Sequence, residues 1–221
     1  MLPPTKRPKI TLKLATSLDG KIALANGDSK WITSEASRAH GRYLRAENDA
    51  IAVGANTAEL DDPHLTSRVP GRKNPIRVVF DSTLRLSPSS HLVTTATETP
   101  TWVFTRKGSE EKAGILRAAG VTVHTVTDEN GLRLAESLEI LAKAGVRSIL
   151  IEGGGTLIAS FIRAGFYDTL YWYRAPVLLG GDGRDCIGAL SLTKIGHAIR
   201  LHRMKTSEVG QDLHEIYVRA D

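Results

Sequence analysis

Cysteine is almost missing from this chain. Only Cys186 is present among 221 residues, which excludes an intrachain disulfide and fits a reducing cytoplasm. Aromatic residues make up only 5%. No Lys/Arg-rich run gathers around them, so the stacking platform and basic stripe of a nucleic-acid binder are lacking. No apolar run approaches the ~18 residues of a membrane span, and the opening MLPPTKRPK has no apolar signal-peptide core. Repeats, low-complexity stretches and long linkers are absent as well. The expectation is one soluble, cytoplasmic α/β domain over residues 1–221, with no nucleic-acid and no membrane partner. Hydrophobic residues, at 41%, suffice for a full core. The net charge of +5 and pI near 9.4 point to an anionic ligand, and a small phosphate needs only a few converging Arg and Lys.

Apolar runs alternate with helical patterns along the chain. Ile10 to Ala15 reads as a first strand, followed by the turn Ser17, Leu18, Asp19, Gly20. Thr33 or Ser34, with the acid at Glu35, opens a helix to about Ala46. Strands are expected at 50–53, 76–80, 102–104, 121–126 and 148–152, with helices at about 109–119 and 132–144. This alternation implies a largely parallel central sheet with helices on both faces. The last fifty residues change character. There 168–174 and 212–219 alternate like antiparallel strands, with 197–205 as a candidate partner, while the polar Ser82 to Thr99 reads as a loop.

Two segments carry chemistry. In Asp49 to Arg68, DAIAVGANTAELDDPHLTSR, a short apolar strand breaks at Gly54 into a polar stretch with Thr57, Asp61, Asp62, Leu65, Thr66 and Arg68. Such strand ends are where α/β proteins place ligands, although a solvated helix cap with a surface acidic pair has the same pattern. In Ser148 to Gly165, SILIEGGGTLIASFIRAG, an apolar strand feeds three glycines and then an amphipathic helix. Glycines let successive N–H groups approach an anion at a helix start. The spacing is neither a P-loop nor the usual dinucleotide fingerprint, and a tight strand-to-helix turn would read alike. Glu152, the last residue of that strand, is costly there unless paired or functional.

Taken together, the blocks LKLATSLDGKIA (12–23), GDSKWITS (27–34), LRAENDAIAVGANT (44–57), DDPHLTSR (61–68), PIRVVFDS (75–82), ILIEGGGTL (149–157) and APVLLGG (175–181) resemble the riboflavin-biosynthesis pyrimidine reductases. This is the 5-amino-6-(5-phosphoribosylamino)uracil reductase family, whose domain is related to dihydrofolate reductase. The blocks stand in the family's order over most of the chain. Asp168 and Thr169 depart from the Asp-Glu of many relatives. The zinc deaminase domain of bifunctional members has no counterpart, because Pro-Cys-x-x-Cys is missing and there is one Cys. A stand-alone reductase or the isolated half of such a pair is expected, without a metal site.

The resemblance implies a dihydrofolate-reductase-like fold and an NADPH-dependent enzyme that reduces the ribosyl group of a phosphorylated pyrimidine to ribityl. By similarity Ala15, Trp31, Thr57 and Asp61 line the nicotinamide side of the cofactor, Gly154, Gly155 and Thr156 cradle the pyrophosphate, and Ser82 touches the adenosine. Arg106 and Lys107 are the position-based candidates for the 2′-phosphate. Ser29, Arg45, Leu65 and Arg68 match substrate positions, with Arg45 and Arg68 suited to the 5-phosphate. Lys13 and Glu152 form the candidate reaction-centre pair, and Asp61 is a second group for proton handling. Trp31 as a core aromatic and Arg45 as a helix-end charge are the structural alternatives. A homodimer through the C-terminal strands and a separate deaminase partner are further implications. Three other functions stay open: a pterin or folate reductase of the same fold, a non-catalytic nucleotide-binding module, and a nucleic-acid binder.

Overall fold

The computed structural model describes residues 7–106, 110–128, 131–132 and 134–220. In chain order the elements are β1 (Lys9–Thr16), β2 (Lys21–Ala23), α1 (Glu35–Glu47), β3 (Ala50–Gly54), α2 (Ala55–Asp61), β4 (Ile76–Phe80) and α3 (His91–Thr94). Then come β5 (Thr101–Thr105), α4 (Glu110–Ala118), β6 (Thr122–Thr125), β7 (Thr127–Asp128), β8 (Gly131–Leu132), α5 (Leu134–Lys143) and β9 (Ser148–Glu152). The chain ends with α6 (Gly155–Ala164), β10 (Thr169–Arg174), β11 (Arg184–Asp185), β12 (Leu201–Val209) and β13 (Asp212–Arg219). No helix among the described residues is long and apolar enough to cross a membrane.

The chain forms two compact units. Among the described residues, one holds Arg7–Lys9 and Arg42–Leu150, and the other holds Ile10–Gly41 and Ile151–Ala220. In the first unit β3, β4, β5 and β6 pair in parallel in that order. β3 and β4 are buried nearly end to end and, Arg77 apart, read as apolar runs, whereas β6 is only partly buried. Ile51, Val53, Val79 and Val103 join Leu92, Val93 and Leu116 in one core.

The segment after β4 differs from the expected loop, since it contains α3. Its organiser is Arg77, 1% exposed inside an apolar strand. The guanidinium donates to the Thr95 hydroxyl at 2.8 Å and to the carbonyls of Leu92, Thr95 and Thr99 at 3.2, 3.0 and 2.7 Å. Burial lowers its pKa to about 10, which still leaves it charged near neutrality. These bonds link residues 15 to 22 positions apart, so local periodicity carries no trace of them.

In the second unit β1 pairs in parallel with β10, β10 antiparallel with β13, and β13 antiparallel with β12. The largely parallel sheet and the antiparallel C-terminal strands expected from the sequence are both present. Strand β12 begins four residues later than the start of the 197–205 stretch expected for it. Its five consecutive exposed positions, His202 to Thr206, leave no alternation to read. Helix α1 starts where Ser34 caps it, with Ser37 N–H donating to the Ser34 hydroxyl at 3.3 Å. Buried Asp212 holds that cap, accepting from Ser34 N–H and Oγ at 2.7 and 2.8 Å. Helix α6 buries Leu157, Ile158, Phe161 and Ile162 as expected and ends at Gly165, whose φ of 68° suits glycine.

Candidate functional site

In the second unit the candidate residues lie on β1, on the segment before α1, and at the β9-to-α6 turn. Strand alternation sends Leu12 and Leu14 into the core, at 0% and 2% exposure, and leaves Lys13 and Ala15 on the other face, half-buried. Lys13 pairs in register with Tyr171, and its Nζ lies 5.7 Å from the ring centroid of Tyr173. Tyr173 is fully buried and its hydroxyl shares a 3.0 Å hydrogen bond with His40 Nδ1. His214 stacks on the same ring at 4.5 Å. Burial, together with neighbouring His40 and Lys205, lowers the His214 pKa to about 4 despite the opposing pull of Glu215. Lys13 therefore stands beside a packed aromatic layer of Tyr173, His40 and His214. None of Tyr173, His40 or His214 was singled out in the sequence, where they are 41 or more residues apart.

Glu152 closes β9 and is 9% exposed. Gly153 and Gly154 follow with φ of 83° and 77°, the left-handed backbone that lets the chain reverse into α6. Gly155 has a packing reason of its own: a Cβ there would stand 2.5 Å from the Asp185 carbonyl oxygen. The Gly155 carbonyl accepts from Gly188 N–H at 2.9 Å. Gly154 is half-buried and Thr156 exposed. Ser29 is half-buried before α1. Trp31 is 69% exposed, which removes its reading as a core aromatic.

In the first unit Thr57 and Asp61 lie on α2, half-buried and exposed respectively. The chain that leaves α2 is unusual, because Asp62, Leu65 and Arg68 all adopt positive φ of 36°, 51° and 53°. Left-handed backbone at such residues costs of order 1–3 kcal/mol each and gathers at functional sites. Leu65 is 2% exposed and belongs to the core, so only its backbone can face a ligand. Arg45 Nη1 donates to the Thr66 carbonyl at 3.2 Å, tying the end of α1 to this segment. Arg45 and Arg68 are thus brought to one short stretch of chain, with Arg68 exposed. His64 stacks on His91 at 4.1 Å, and burial lowers its pKa. Ser82 is exposed just beyond β4, next to Asp81, which is fully buried and accepts from Leu86 N–H at 2.8 Å. Arg106 is exposed after β5, and Lys107 lies outside the described residues.

Residues 8–215 match the model of the RibD C-terminal domain. This chain belongs to that family. Among curated relatives, the RibD riboflavin biosynthesis protein of Bacillus amyloliquefaciens is 43% identical over 215 residues, which is 95% of this chain and 57% of that protein. The chain spans little more than half the length of the RibD proteins it matches. A shorter relative, the 2,5-diamino-6-ribosylamino-4(3H)-pyrimidinone 5′-phosphate reductase of Methanothermobacter thermautotrophicus, is 36% identical, with 94% of this chain and 96% of that protein aligned. Among solved structures, RibD of Acinetobacter baumannii superposes with a TM-score of 0.84 at 29% identity, over 98% of this chain and 59% of that one. The RibD family membership agrees with the order of the seven sequence blocks.

Proposed function

We propose that this chain is an NADPH-dependent reductase that converts the ribosyl group of a 5-phosphoribosylamino-pyrimidine to ribityl in riboflavin biosynthesis. The observation that carries the reading is the 61–68 segment, where strained backbone and the Arg45 bond to Thr66 hold two guanidinium-bearing residues on one stretch. Arg side chains in that arrangement suit a phosphate. The relative aligned nearly end to end is named for a phosphorylated ribosylamino-pyrimidine, which supports the same substrate class.

The residues support a nicotinamide dinucleotide: an exposed Trp31, a left-handed glycine turn, and the N-terminal end of a ten-residue helix without a side-chain cap, suited to a pyrophosphate. Bound NADPH supplies the hydride for the sugar C1. Lys13 delivers a proton to the ring oxygen as the furanose opens to the imine, and Glu152 anchors the pyrimidine amines. Asp61 is the second proton-handling group. Arg45 and Arg68 orient the phosphate end, so that the sugar is presented in a reactive pose.

A homodimer belongs to the same reading, supported by Leu178, Ile195 and Met204 at 72%, 87% and 65% exposure in the C-terminal region. The deciding experiment is steady-state NADPH oxidation with the diamino-pyrimidine and the deaminated uracil form side by side. Turnover of one of them establishes the activity and its order relative to deamination. Oxidation only with a pterin, or with none of the three, overturns the reading.

A further inference from the structure

Trp31 offers the largest apolar side chain of the second unit to solvent, yet it is not loose. The Cζ of Arg38 lies 4.4 Å from the centroid of its ring. Arg38 is itself pinned from behind. Its Nη1 donates to the Thr33 carbonyl at 2.6 Å, and its Nε and Nη2 donate to one carboxylate oxygen of Glu35, Nε at 3.1 Å. Three of the five guanidinium N–H donors are therefore engaged by Thr33, just before α1, and by Glu35 in its first turn, and the flat face is what meets Trp31. Arg38 is only 25% exposed for a residue of its length. With one face of the indole on the guanidinium, the exposed surface of Trp31 is the opposite face and the ring edge. A planar aromatic group presented this way is a stacking surface for another planar ring.

We propose that Arg38 is a positioning residue that holds the Trp31 ring as a platform for the nicotinamide. The inference rests on the cofactor role proposed for Trp31. Stacking reads the ring rather than the phosphates, so the contribution of Arg38 is the same for NADPH and NADH. It acts through Trp31, because the flat face of its guanidinium lies on that ring.

The test is a double-mutant cycle on the full chain, with Arg38→Ala, Trp31→Ala and the double variant titrated calorimetrically with NADPH and with NADH. Arg38→Ala is expected to weaken both cofactors by one common factor, about three- to tenfold for a lost cation–ring contact. In the Trp31→Ala background the same change should add less than about twofold. Arg38→Lys keeps the charge without the flat fork and should recover only part of the loss. An equal loss in the Trp31→Ala background, or no loss from Arg38→Ala, overturns the proposal. A loss confined to NADPH overturns it too and makes Arg38 a phosphate ligand. If Trp31→Ala leaves both affinities unchanged, the cofactor role of Trp31 fails and this inference with it.

Discussion

His214 should make this protein acid-sensitive, and the effect can be isolated. The imidazole is 3% exposed, stacked on Tyr173, with Tyr171 at 5.6 Å and His40 at 5.2 Å ring to ring. Ser207 Oγ lies 3.4 Å from its Nδ1, and its Nε2 has no hydrogen-bond partner among the described residues. A second proton would leave a buried, charged N–H without an acceptor. Burial is the main reason that its pKa falls from 6.5 to about 4, with His40 and Lys205 adding repulsion and Glu215 opposing. Because the folded value is the lower one, the unfolded chain binds the extra proton between about pH 6.5 and 4. Stability therefore rises with pH across that window and is lost as the pH falls through it. The full interval is worth about 3 kcal/mol, and about 2.5 kcal/mol of it has been lost by pH 4.5.

The perturbation is His214→Phe, which keeps a ring on Tyr173 and removes the titration. Urea unfolding of both proteins at pH 7.5, 6.5, 5.5 and 4.5 gives their stability difference at each pH. His124, also lowered by burial, and the carboxylates titrate in both proteins and cancel in that difference. The variant should gain about 2–3 kcal/mol relative to the parent between pH 7.5 and 4.5, equivalent to roughly 5–10 °C in Tm at about 2–4 °C per kcal/mol. A difference that does not change with pH refutes the claim that His214 is held neutral by its surroundings.

The other predictions concern single side chains. Arg77→Met keeps the chain's bulk but strands the carbonyls of Leu92, Thr95 and Thr99, so calorimetry should show a loss of about 2–4 kcal/mol. A smaller change would mean that the 82–99 segment is held by its apolar contacts alone. Gly155→Ala drives a methyl to within 2.5 Å of the Asp185 carbonyl and should cost about 1–3 kcal/mol, measured as Tm, with the 185–188 segment displaced. Glu152→Gln keeps size and removes charge, so single-turnover NADPH oxidation should slow at least about a hundredfold while Tm holds or rises. A clear drop in Tm with near-normal turnover would assign Glu152 to the scaffold instead.

What the sequence made legible follows the reach of each interaction. The strands at 50–53, 76–80 and 148–152 were readable because burial leaves a largely apolar run, broken only by Arg77 and by the end residues Ser148 and Glu152, and α6 because its buried stripe repeats at helical spacing. Leu65 was a candidate site position only by resemblance. Its side chain lies in the core, and the feature that distinguishes it, a left-handed φ, is imposed by the surrounding fold. Gly155 shows the same limit from the other side. The run of three glycines suggests an open cradle for an anion, whereas the structure fills the space beside Gly155 with the Asp185–Gly188 backbone. Charge inside an apolar strand was the one local clue to long-range order. Arg77 in IRVVF and Glu152 at the end of SILIE both violate the strand pattern, and burial of such groups demands compensation. For Arg77 the compensation is structural and visible, a set of carbonyls gathered from the following segment. Glu152 ends its strand beside a left-handed glycine turn and a helix start. The two violations look alike in sequence and separate only when their surroundings are known, which is why the Glu152→Gln variant, rather than the pattern, decides its role.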